Sequence, residues 1–236
     1  MPPTDPILFL TRPRAASERF QQMCEARVGR ALPVIIAPVI RIEHLADPVD
    51  LSGYEAVVFT SSNAVASAGQ GRGRLAYCVG AVTAEVARTA GFDARSADGN
   101  ADDLVALIRR EAPRGRLLHL RGEHSQGDVA GRLTAAGFPT DERVVYRQTP
   151  QPIPQTVWAD VPDGAELLLP VFSPFSAKAL SATLPKGAYD ITVIAISHAA
   201  AEHAPGPARA LHVARRPDGA AMADEVAALY GPRAAC

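Results

Sequence analysis

An excess of charge of either sign is missing from this chain. Its formal net charge is −1 over 236 residues, so no global field favours nucleic acid or a membrane surface. Any preference for anions has to be local. No basic stripe interleaved with aromatics suggests nucleic acid. Lysine is nearly absent: of 24 basic residues only Lys178 and Lys186 are lysines. Arginine suits bidentate contact with carboxylates, but a codon bias that also favours alanine explains the same count and is the first reading. Cysteine is scarce too. Cys24, Cys78 and Cys236 are odd in number, widely spaced and in no CxxC pair, which points to reduced cytosolic thiols rather than a disulfide frame.

Other absences narrow the chemistry. No stretch is long enough to span a bilayer. The start, MPPTDPILFLTRPR, has no basic region ahead of an apolar run that ends within four residues, so it is not read as a signal peptide, and a cytoplasmic location is expected. There is no GxSxG elbow, and no cysteine sits in a recognisable nucleophile motif. His119 and His124 are five apart, as are His198 and His203. That spacing does not put two ligands on one helix face, so a metal site is not expected. Gly69, Gly71 and Gly73 follow a helical pattern rather than a strand, which rejects a dinucleotide loop. With 47% hydrophobic and 21% charged residues, what remains is a globular chain able to bury a core, as one large domain or two small ones.

What is present centres on residues 57–65, VVFTSSNAV, and on 77–87, YCVGAVTAEVA. In each, a short apolar run stops at hydroxyl residues or glycine and a helical pattern begins. Val57, Val58 and Phe59 suit a buried strand, and Thr60, Ser61, Ser62 and Asn63 are helix N-cap types. In the second stretch Gly80 makes the turn and Thr83 lies in the first helical turn. Two helix N-termini side by side present free N–H groups and positive dipole ends. That is a place for carboxylates at the carboxyl ends of parallel strands.

In chain order, strands are expected at 7–10, 34–36, 57–59, 77–79, 116–120, 167–172 and 191–196, with 39–42, 94–98, 144–146 and 211–214 also extended. Helices are expected at 15–27, after 60–63, from 80 to about 90, at 102–110, 128–136 and 175–184, from 199 onward, and at 222–230. Pro13 fits the first helical position. Pro150, Pro152 and Pro154 make a stiff extended connector. Alternation of this kind implies parallel sheets.

The pattern repeats, in permuted order. Phe59-Thr60-Ser61-Ser62 echoes Val171-Phe172-Ser173-Pro174, residues 77–84 echo 195–201, Asp98-Gly99 echoes Asp218-Gly219, and the strand ending at Arg12 echoes the strand ending at Arg121. The expected architecture is therefore α/β: two similar domains with parallel sheets flanked by helices. One is discontinuous, residues 1–37 with 150–236; the other is continuous, residues 38–149. Two extended crossings would pair as a two-stranded hinge, leaving a cleft.

Leu10-Thr11-Arg12-Pro13, VVFTSSNAV, Val79-Gly80 with Thr83-Ala84, Asn100-Ala101-Asp102, Leu120-Arg121-Gly122-Glu123, Val145-Tyr146 and Phe172-Ser173-Pro174 together resemble the uroporphyrinogen-III synthase family, over nearly the whole chain and in order. The resemblance implies a monomeric enzyme of tetrapyrrole biosynthesis, a cyclising hydro-lyase that needs neither cofactor nor metal. Its substrate would be hydroxymethylbilane, a linear tetrapyrrole with eight carboxylates. The terminal hydroxyl leaves as water, the last pyrrole ring inverts through a spiro intermediate, and the macrocycle closes to uroporphyrinogen III.

Tyr146 matches the tyrosine that the family places near the leaving hydroxyl, and is the expected catalytic residue. Arg12, Thr60, Ser61, Ser62, Gly80, Thr83, Arg121, Ser173 and Ser197 are the expected substrate-binding positions, with Arg147 a weaker one. Arg12 and Arg121 have surface alternatives in Glu18 and Glu123. Where the family often has Gly-Pro-Thr-Thr, this chain has Ser197-His198-Ala199-Ala200, which removes the hydroxyl or moves it to Ser197. Transient contact with the enzyme that supplies hydroxymethylbilane is the only protein partner expected. The competing readings are a non-catalytic two-lobed binder of a polycarboxylate and a paralogue that kept the fold and lost activity.

Overall fold

A computed structural model describes residues 5–45, 48–125, 127–185 and 189–231. Lys186 and Cys236 lie outside the described residues. The chain opens with β1 (Ile7–Leu10), α1 (Arg14–Val28), β2 (Val34–Ile36), β3 (Ile40–His44) and β4 (Ala56–Phe59), then a 3-10 helix over Ser62–Ala68. It continues through β5 (Leu75–Cys78), α2 (Ala81–Thr89), β6 (Asp93–Ser96), α3 (Ala101–Glu111), β7 (Leu117–Gly122), α4 (Val129–Ala135) and β8 (Thr140–Pro150). The last elements are α5 (Gln155–Ala159), β9 (Glu166–Val171), α6 (Pro174–Thr183), β10 (Asp190–Ala195), α7 (His198–Ala201), β11 (Ala210–Val213) and α8 (Gly219–Leu229). Two compact units result, Met1–Arg41 with Thr149–Cys236 and Ile42–Gln148.

The unit formed by Ile42–Gln148 is built on a six-stranded sheet in the order β3-β8-β7-β4-β5-β6. The pairs β8–β7, β7–β4, β4–β5 and β5–β6 are all parallel. Both faces are covered, which is why β4 reads as a continuous apolar run rather than an alternating one. Val57 and Phe59 join Cys78, Leu118 and Leu120 in one core, and Ala56 and Val58 join Leu104, Ile108, Leu117 and Leu133 in the other. Each fully buried Leu or Phe contributes roughly 1.5–3 kcal/mol of transfer free energy.

The other unit carries a five-stranded sheet, β11-β10-β9-β1-β2, again parallel in every pair. Taken from β2, its order matches β8-β7-β4-β5-β6 strand for strand. The linking bonds correspond as well. Val79 N–H donates to Phe59 C=O as Ile196 N–H does to Val171 C=O, and Ala97 to Cys78 as Ala214 to Ala195. The permuted repeat is thus a repeat of sheets, with Arg12 standing where Arg121 stands and Phe172 where Thr60 stands.

Two local expectations are corrected and one element was missed. Pro13 is the N-cap of α1, not its first helical residue. The segment after Ser61 is a 3-10 helix rather than an α-helix; its Asn and β-branched Val disfavour an α-helix. The proline-rich connector ends at Pro154, which caps the short α5, a helix in the interval 155–166 where no element was expected. Pro before a first turn needs no N–H partner. Trp158 on α5 stacks on Phe9 with centroids 5.1 Å apart, and that burial holds a five-residue helix in place. Cys24 and Cys78 are buried free thiols, and burial pushes each pKa up to about 12, so both are unreactive.

Candidate active site

The carboxyl ends of β4 and β7 open onto a cavity of about 460 Å³ in the Ile42–Gln148 unit. Its walls include Thr60, Ser61, Asn100, Asp102, Gly122, Arg132 and Tyr146. The elements around it start by capping. Ser61 accepts a hydrogen bond from Asn63 N–H. Asn100 accepts from Asp102 and Asp103 N–H, and the Asp103 carboxylate accepts from Asn100 N–H, a reciprocal capping box. α2 differs, because Gly80 caps it without a side chain. The leading N–H groups of α2 therefore keep no side-chain acceptor, while Gly80 faces open space.

Tyr146 is 6% exposed and its position depends on Gly122. A bulge between Arg121 and Gly122 sets Gly122 opposite Tyr146 across β7 and β8. A Cβ at Gly122 would stand 2.6 Å from Tyr146 Cζ and 2.8 Å from its hydroxyl oxygen. The ring lies in space that only glycine leaves open, and Glu123 N–H donates to Tyr146 C=O at 2.9 Å.

The charged side chains divide by partner. Arg121 is fully engaged. Its Nη2 and Nε meet the two Glu142 oxygens at 2.7 and 3.1 Å, and its Nη1 donates to the Gly122 and Glu123 carbonyls. That pairing raises the arginine pKa and lowers that of Glu142. Arg147 donates to Glu43 at 2.7 Å, and Arg132 to Asp102 at 2.7 Å. Arg12, in the other unit, has no carboxylate partner among the described residues. Its guanidinium lies 4.2 Å from the Phe172 ring centroid. Burial, and then Arg19, lower its pKa. Neither surface alternative forms: Glu18 pairs with Arg14, and Arg121 takes Glu142 in place of the Glu123 carboxylate.

A family model described as uroporphyrinogen-III synthase HemD matches residues 21–224. The chain belongs to that family. Among solved structures, the uroporphyrinogen-III synthetase of Helicobacter pylori is 16% identical, covers 96% of this chain and 100% of its own, and superposes with a TM-score of 0.65. Wild-type uroporphyrinogen III synthase from Thermus thermophilus is also 16% identical, over 96% of this chain and 98% of its own, with a TM-score of 0.36. The first likeness shows a shared fold. No curated protein matches the sequence.

For a uroporphyrinogen-III synthase family member, the residues expected at the site now have addresses. Thr60, Ser61 and Tyr146 meet at the cavity. Ser62 opens the 3-10 helix. Thr83 is 6% exposed at the third residue of α2, inward of the surface. Ser173 and Ser197 belong to the other unit, as N-caps of α6 and α7. Ser173 Oγ accepts from Ser176 N–H and donates to Ser176 Oγ, so its proton and one of its two lone pairs are used. Ser197 accepts from Ala200 N–H and stands where Gly80 does in the repeat. Ala200 then replaces Thr83, which locates the departure from Gly-Pro-Thr-Thr.

Sequence reasoning passed over Asn100, Asp102, Gly122 and Arg132 as wall residues, and His119 behind Thr60. His119 had a signal, a single polar residue inside the apolar strand LLHL. Among the described residues no group of three or more His, Cys, Asp or Glu is arranged to hold a metal ion, and no helix is long and apolar enough to cross a membrane.

Proposed function

We propose that this protein converts hydroxymethylbilane to uroporphyrinogen III, with loss of water and inversion of the last pyrrole ring. The observation that carries the reading is the Tyr146 side chain on the wall of a cavity that also carries the Thr60 and Ser61 hydroxyls at the strand carboxyl ends, in a chain of this family. Tyr146 gives its proton to the departing hydroxyl, which leaves as water when the carbon–oxygen bond breaks. The proton returns when the ring carbon that forms the new bond loses its hydrogen, so the tyrosine is regenerated. A phenol donates in this way through a hydrogen bond to the leaving oxygen. Everything else is positioning, because closure without inversion yields the wrong isomer.

The carboxylates are taken by the Thr60 and Ser61 hydroxyls, by N–H groups at the start of α2 next to Gly80 and Thr83, and by Arg12. Arg12 is favoured because it carries a full charge that no described carboxylate neutralises. Arg121 and Ser62 support the cavity rim. Ser173 acts through α6, the ten-residue helix it caps, whose N-terminus favours anions, and Ser197 is a further hydroxyl at the equivalent strand end.

An isomer assay tests the reading. Hydroxymethylbilane is generated in situ, the products are oxidised, and type I and type III uroporphyrins are separated. Dominant type III is expected, and Tyr146→Phe is expected to lower kcat about 100-fold, the lower range for losing a general acid, with an unchanged fold. Type I alone from folded protein would leave a polycarboxylate binder instead. Wild-type turnover by the phenylalanine variant would remove Tyr146 as the acid.

A further inference from the structure

We infer that His119 is a positioning residue for this site: its hydrogen bond to Thr60 turns the Thr60 hydroxyl into a donor aimed into the cavity. The inference rests on the proposed polycarboxylate substrate and names which way one contact to it is polarised.

β7 is apolar on either side of His119, with Leu117, Leu118 and Leu120 buried. His119 is itself 2% exposed. It faces Val58 across the β4–β7 ladder, so Thr60, two residues on, shares its face of the sheet. Its Nε2 lies 3.1 Å from Thr60 Oγ1. Among the described residues, its Nδ1 is the only buried side-chain nitrogen or oxygen with no hydrogen-bond partner.

A neutral imidazole carries one N–H, and the two choices differ. A proton on Nδ1 would be a buried donor without an acceptor, the rarer and costlier defect. A proton on Nε2 donates to Thr60 Oγ1 and leaves Nδ1 only as an unfilled acceptor. The second arrangement is favoured. Loss of solvation keeps the ring neutral, lowering its pKa to about 4 against the partial opposition of Glu142.

The consequence reaches the cavity wall. With one lone pair of Thr60 taken by His119, the threonine's own proton is left for the cavity, where it meets a carboxylate as a donor. In the opposite tautomer Thr60 would give its proton to the ring and turn only lone pairs outward, repelling the same carboxylate. The fold does not require this pair. In the other unit Leu10 and Phe172 occupy the equivalent places, and that sheet forms with an apolar contact there.

The test has two arms. In nitrogen-15 NMR of histidine-labelled protein, His119 is expected to carry its proton on Nε2 with Nδ1 bare, whether or not the protein turns over; a proton on Nδ1 overturns the inference. In the isomer assay, His119→Leu, a residue this fold accepts at the equivalent Leu10, is expected to raise KM about fivefold with kcat within about twofold, the pattern of a lost binding contact. His119→Gln, which can place an N–H at the position of Nε2, is expected to recover most of that loss. Adding His119→Leu to Thr60→Val is expected to change KM no further. Equal KM values for the leucine and glutamine variants, or additive effects with Thr60→Val, overturn the positioning role. Failure of the wild type to form type III is seen before any variant is compared, and sinks the underlying function rather than the proton assignment.

Discussion

A single methyl group at Gly122 is the sharpest available perturbation of the proposed acid. The added Cβ would stand 2.6 Å from Tyr146 Cζ, where ordinary contact begins near 3.4 Å, so the ring must withdraw by about 0.8 Å. It has little room, since Tyr146 packs in the core with Phe59, Leu120 and Val145. Overpacking of this kind costs about 1–3 kcal/mol. A displacement near 1 Å of a reacting group costs up to about 100-fold in rate. Gly122→Ala is therefore expected to unfold at lower denaturant concentration and to lose about 10- to 100-fold in kcat, with a much smaller change in KM. Combined with Tyr146→Phe, it should add little to the rate loss, because both changes act through one hydroxyl. Denaturant titration, kinetics of type III formation and the double variant measure this. A folded Gly122→Ala enzyme with wild-type kcat would refute the argument, since it would separate the position of Tyr146 from the chemistry.

His119 gives a pH prediction whose sign follows from burial. Its pKa falls from 6.5 to about 4 on folding, so as pH drops the unfolded chain binds the proton first and stability is lost between about 6.5 and 4. Between pH 7 and 5 the wild type should lose about 2 kcal/mol more than His119→Leu; equal losses by urea unfolding would contradict a neutral buried ring. The two equivalent arginines should separate. Arg12→Gln is expected to raise KM about tenfold with little change in stability, whereas Arg121→Gln should cost under about 1 kcal/mol of stability, as for an exposed ion pair, and affect KM less. Equal KM effects would show that the Glu142 pairing does not withdraw Arg121 from substrate.

Much of this molecule is decided within a few residues of sequence. Apolar runs such as VVF and LLL, buried on both faces, signal parallel strands. Ser61, Asn100, Ser173, Ser197 and Asp218 lie at strand-to-helix junctions and cap the helices that follow. Both signals depend on the backbone two or three residues away, so they survive without knowledge of the fold. The permuted repeat is legible for the same reason, being a repeat of those junctions. Tertiary structure decided which of two similar arginines is neutralised, because Arg121 meets Glu142 only through the register of β7 on β8, 21 residues apart. It likewise placed Thr60 against His119, 59 residues apart, across a parallel ladder. It also set Tyr146 over Gly122, where a bulge shifts the register by one residue and no local pattern announces it.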